Sequence, residues 1–209
     1  MNAFVPPIYA YVTCSEEQRK IRLAKTGLSP NYNVSKPSKT SSDLILKDGN
    51  DVFYTARVTD ESQLHLFGKD SSEDTDIVAA ARLGEETNTP QICLGRPDMT
   101  KSGWARLVAF HDQDGHLRVD FSVPGLDEQR RKLVWSKANS RGGKLRHLVG
   151  RPSEWILRDA DGDGKTLAVF VEGASKTDVG QFRWFVAMNR EEERSAIIGL
   201  LAGMRLSDY

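Results

Sequence analysis

The most apolar stretch of this chain, residues 196–204, is only nine residues long. A bilayer needs about 20, so no transmembrane helix is expected. Cysteine is nearly absent: Cys14 and Cys93 stand alone. Two cysteines without a secretory signal read as free thiols rather than a disulfide. The chain starts with no basic segment leading into an apolar run, which reads as no signal peptide. That points to a cytoplasmic protein, one able to sit peripherally at membranes. Net charge is also missing, because 29 Lys and Arg balance 29 Asp and Glu. There is therefore no global pull toward nucleic acid. No G-x-S-x-G elbow, C-x-x-C pair or dinucleotide fingerprint occurs.

What is present starts at the far end of the sequence. Asn189 followed by Glu192 has the form of a capping box. Glu191, Glu192 and Glu193 then lie where the helix dipole favours negative charge. From Ala196 to Leu206 apolar side chains fall on nearly every side of a helix, at about 100° per residue. Such a helix must be enclosed. Gly199 and Gly203 each lower helix propensity by roughly 1 kcal/mol. They are tolerable where something packs closely on that side.

The rest of the chain offers strands to enclose it. Leu44–Leu46 and Val52–Tyr54 flank Asp48-Gly49, a strong hairpin signal. Leu64–Phe67 and Ile77–Ala81 bracket an acidic turn, and Gln91–Leu94 is a further short strand. Trp104–Phe121 reads as a hairpin turning at Asp114-Gly115. Lys132–Trp135 follows, then Trp155–Leu157 and Leu167–Val171 across a Gly/Asp turn. Phe182, Trp184 and Val186 form the last strand. Short strands at this spacing predict a mainly β fold. We expect an antiparallel closed β-barrel of about twelve strands around a buried hydrophobic C-terminal helix, 190–206. Trp104, Trp135, Trp155 and Trp184 are expected in its core. Residues 40–209 form the barrel on this reading. Residues 1–39 form an accessory segment and linker, with a strand at Ile8–Val12, a capping-box helix from Ser15, and a Ser/Pro/Asn-rich stretch from Pro30 to Lys39.

This layout resembles the tubby C-terminal-like superfamily of tubby domains, phospholipid scramblases and LURP-one-related proteins. The resemblance rests on the strand, Asp-Gly, strand units Asp43–Tyr54 and Trp155–Val171 and on the apolar C-terminal helix. It implies a twelve-stranded barrel enclosing that helix. It also implies phosphoinositide binding by basic residues on the barrel surface.

Charge is unevenly spread. Residues 43–86 hold eleven acids and four bases, a net of −7. Residues 130–151 hold eight bases and no acid: Arg130, Arg131, Lys132, Lys137, Arg141, Lys144, Arg146 and Arg151. These eight are the candidate ligand-binding residues. They point to an anionic partner, an acidic phospholipid or another phosphate-bearing ligand. The leading reading is a non-catalytic binding module. A small-molecule or enzymatic barrel with a pocket at its mouth is the first alternative. A protein-interaction module or homo-oligomer joining the −7 and +8 regions is the second.

Other motifs carry less. Asp159-Ala160-Asp161-Gly162-Asp163-Gly164 opens like a calcium loop, but position twelve is Phe170 where a bidentate Glu is needed. A hairpin turn without metal is the expectation. Ala138 to Leu145 nearly spells a phosphate loop, yet Leu145 stands where Ser or Thr must hold magnesium. With a two-residue turn at Asp114-Gly115, His111 faces Arg118 and Gln113 faces His116, so the imidazoles do not converge on a metal. No cofactor is implied, and nothing shows which carboxylates face each other for acid–base work.

Overall fold

A computed structural model describes residues 28–60, 62–68, 76–84, 89–98, 103–113, 115–124, 130–138 and 153–206. Among the described residues it shows twelve strands and one helix, α1 (Arg190–Leu206). The strands are β1 (Tyr32–Ser35), β2 (Leu44–Asp48), β3 (Asp51–Asp60), β4 (Gln63–Gly68), β5 (Ile77–Arg82) and β6 (Gln91–Leu94). They continue with β7 (Ala105–His111), β8 (Leu117–Pro124), β9 (Arg130–Ala138), β10 (Glu154–Asp159), β11 (Thr166–Glu172) and β12 (Asp178–Trp184). Each pairs antiparallel with the next in sequence, and β1 closes the ring on β12 with Tyr32 opposite Phe182. Closure removes the two free edges that an open sheet would expose.

The fold is therefore the expected one, a closed twelve-stranded antiparallel barrel around a C-terminal helix. The helix fills the lumen. Every residue from Ser195 to Gly203 is buried. Around it lie Leu46, Leu66, Leu133, Trp135, Leu157, Phe170 and Phe182, all fully buried on inward positions of their strands. The helix runs closest to β8, β5 and β6. Its two glycines face β8: a Cβ on Gly199 would lie 3.1 Å from the Phe121 ring, and one on Gly203 would overlap Val119. The propensity cost of these glycines is offset by this close approach.

The cap forms as the sequence indicates. Asn189 Oδ1 accepts from the Glu192 N–H at 2.8 Å, and Glu192 Oε2 accepts from the Asn189 N–H at 3.2 Å. The Trp135 indole N–H donates to the Ala196 carbonyl at 2.9 Å, pinning the helix to β9. Among the described residues the barrel thus has a capped end, at Asn189, and an open end, where Met204 and Arg205 emerge.

Several local expectations shift. Tyr32–Ser35, read as linker, are β1, with Tyr32 and Val34 fully buried inside the barrel. The first hairpin turns one residue later than read. Asp48 pairs with Asp51, leaving Gly49-Asn50 as the turn, and Gly49 takes φ +61°. In the β7–β8 hairpin His111 pairs with Leu117, so Phe110 rather than His111 faces Arg118. That loop is longer because Asp112 folds it: its carboxylate accepts from the His116 N–H, and its N–H donates to the His116 carbonyl. The last strand ends at Trp184, short of Val186. Trp135, Trp155 and Trp184 are core, whereas Trp104 is half-buried beneath the Arg82 guanidinium, 4.1 Å from its ring centre. The expected strand at 8–12 and helix from Ser15 lie outside the described residues.

Candidate functional site

At the capped end, acids that look like an exposed helix start turn inward. Glu193 is 0 % exposed. Its Oε1 accepts from the Tyr32 hydroxyl at 2.7 Å and from the Tyr54 hydroxyl at 3.0 Å. Burial, and then the Glu193 charge, push the Tyr54 hydroxyl well above the usual phenol range. A phenol held that way donates a hydrogen bond and keeps its proton. Beside it, Arg131 Nε bonds Asp159 Oδ2 at 2.7 Å, and Arg131 Nη1 bonds Glu192 Oε1 at 2.9 Å. These bonds join β9, β10 and α1, so this end reads as a lock on the helix.

The described bases of the 130–151 segment do not converge. Arg131 and Lys137 both occupy inward positions of β9, alternating with Leu133 and Trp135. Six residues of strand separate them by about 20 Å, which places them at opposite ends of the barrel. Lys137 is also paired. Its Nζ lies 3.0 Å from Glu172 Oε1 and 5.3 Å from the centre of the Trp155 ring. Burial raises the Glu172 carboxyl, but the bonds from the Trp155 indole N–H at 2.9 Å and from Lys137 outweigh it and hold the group below the usual carboxylate range. Lys132, between them, is exposed on the outer face. Arg130 opens β9. Arg141, Lys144, Arg146 and Arg151 lie outside the described residues, as does most of the phosphate-loop look-alike.

Among the described residues no group of His, Cys, Asp and Glu is arranged to hold a metal. In the 159–164 turn, Asp159 Oδ1 accepts from the Asp161 N–H and Asp163 Oδ1 from the Lys165 N–H. The Asp159 and Asp163 carboxylates thus serve the backbone. His116 sits 3.8 Å from Asp112, while His111 is exposed at the end of β7. Cys93 is a buried free thiol whose pKa burial pushes up to about 11.

A cavity of about 340 Å³ lies at the open end, lined by Leu44, Leu64, Val179, Leu201 and Met204, with Lys36, Ser42 and Arg205. This lies within the range of ligand pockets, roughly 300–1,000 Å³. Arg205 belongs to the last turn of α1, and Lys36 follows directly on β1. Neither has an ion-pair partner among the described residues, unlike Arg131 and Lys137. Sequence reasoning passed over both cations, because each is isolated in its own segment. β9 leaves the barrel at Ala138 and β10 rejoins it at Glu154, paired with Ala138. Both residues are at this same end.

No known protein family, curated protein or solved structure matches the chain.

Proposed function

We propose that this protein is a non-catalytic binding module of tubby-like kind that docks its open end on an anionic phospholipid surface. The observation that carries the reading is the pair Lys36 and Arg205, cations without carboxylate partners among the described residues, beside an open apolar cavity. The connection carrying Arg141, Lys144, Arg146 and Arg151 leaves and rejoins the barrel at the same end. Each cation near an acidic bilayer contributes about 1 kcal/mol. The capped end suits no such role, since Arg131 is already held by two carboxylates. No helix among the described residues is long and apolar enough to cross a membrane. Attachment on this reading is therefore peripheral.

Sedimentation with vesicles tests it. Wild type should pellet with acidic vesicles at low salt, stay in solution with neutral ones, and release as salt shortens the screening length below roughly 8 Å. Replacing Arg141, Lys144 and Arg146 with Glu should abolish pelleting without lowering the melting temperature. Equal behaviour with neutral and acidic vesicles overturns the reading.

A further inference from the structure

We infer that the open-end cavity is a ligand site for a single-chain anionic amphiphile, a straight alkanoate of medium length. The inference deepens the proposed function, resting on the open end being the binding face.

Three features select this chemistry. The first is size. At roughly 30 Å³ for a water-sized group, about 340 Å³ accommodates about eleven non-hydrogen atoms. One chain of around ten carbons fits, and the paired tails of a diacyl lipid do not. The second is the lining. Leu64 and Leu201 are almost fully buried and form apolar walls together with Met204. Met is unbranched and adapts its shape, which suits a flexible chain. The third is the charge at the rim. The helix ends here, and its last carbonyls carry partial negative charge. An anionic head is therefore repelled by the helix terminus itself. It needs Arg205 and Lys36 to hold it, and both line the cavity with no carboxylate bound among the described residues. A guanidinium offers a carboxylate two parallel N–H bonds, the stronger form of charge-assisted pairing. A neutral chain forgoes these bonds, and a cationic head meets two like charges.

Titration calorimetry of the full chain with decanoate, kept below its micelle concentration, tests the assignment. Wild type should bind one decanoate saturably. Decanol and decyltrimethylammonium should bind about tenfold more weakly or not at all. The Lys36→Met/Arg205→Met double variant should lose the preference for decanoate over decanol. Ser42→Trp changes an exposed rim position and should block decanoate while leaving the melting temperature unchanged. The Arg141→Glu/Lys144→Glu/Arg146→Glu variant should still bind decanoate although it no longer pellets with vesicles. Failure of decanoate to bind, or equal binding of decanoate and decanol, overturns the cavity assignment even if vesicles pellet the chain. Decanoate binding by a protein that ignores acidic vesicles leaves the cavity standing and removes the membrane reading alone.

Discussion

The Tyr32 hydroxyl donates a 2.7 Å hydrogen bond to Glu193, joining the first strand of the barrel to the helix at its centre across 161 residues of sequence. Tyr54 donates to the same oxygen at 3.0 Å. A buried carboxylate is tolerated only where such donors replace water.

That pairing predicts a coupled loss. Tyr32→Phe and Glu193→Gln should each lower unfolding free energy by about 1.5–3 kcal/mol. The double variant should lose less than the sum, since both remove one interaction. Denaturant unfolding of the four proteins gives the coupling. Strict additivity would show that the tyrosine and the carboxylate act separately.

Gly203 is predicted to resist a change that favours most helices. Ala gains about 1 kcal/mol of propensity. Its Cβ, however, would overlap Val119 Cγ2 and lie 3.1 Å from Cγ1 and 3.2 Å from Cβ, so rotating the valine does not clear it. Overpacking of this kind costs about 1–3 kcal/mol, so Gly203→Ala should lower the melting temperature. Adding Val119→Ala should recover part of that loss. A Gly203→Ala protein melting above wild type would show that the helix does not press on β8.

Glu172 predicts an acid limb to stability. Its folded pKa is depressed, so its contribution is complete above the unfolded value of about 4.3. It is lost as pH falls through the lower folded value. The gap in melting temperature between wild type and Glu172→Gln should therefore be steady near neutrality. It should close as the pH drops below about 4. A gap that widens in acid contradicts the pairing with Lys137 and Trp155.

The 159–164 turn should ignore calcium. Asp159 is bonded to Arg131 and to the Asp161 N–H, and Asp163 to the Lys165 N–H. Millimolar calcium should move the melting temperature by no more than about 1 °C. A rise of many degrees, abolished by Asp161→Ala, would show a true site.

The parts of this fold readable from sequence are those with a local signature. The helix was legible because Ala196–Leu206 is apolar on all sides, and the capping box because Asn189 and Glu192 are three residues apart. β1 was hidden because Asn33 and Ser35, between and beside its buried Tyr32 and Val34, match a linker in composition. Glu193 looked solvated because its partners are remote in sequence. The cavity has no local pattern at all. Leu44, Leu64, Val179 and Leu201 come from four separate elements. Strand alternation does give Arg131 and Lys137 the same facing. Charge counting alone could not show that one strand carries them to opposite ends.

A core built from the last element has a consequence for how the protein is made. As the chain emerges during synthesis, all twelve strands are complete by Trp184, before any residue of α1 has appeared. Until then the inward faces of Leu66, Trp135, Leu157 and Phe170 surround nothing. β1 must also wait for β12, some 140 residues of chain later, before it has its second neighbour. Contacts this distant in sequence form slowly, and unpaired strand edges with bare apolar faces aggregate in the interval. The nascent barrel is therefore most exposed to misassembly when it is nearly complete. Arrival of residues 190–206 ends that exposure by filling the barrel and locking it through Glu193.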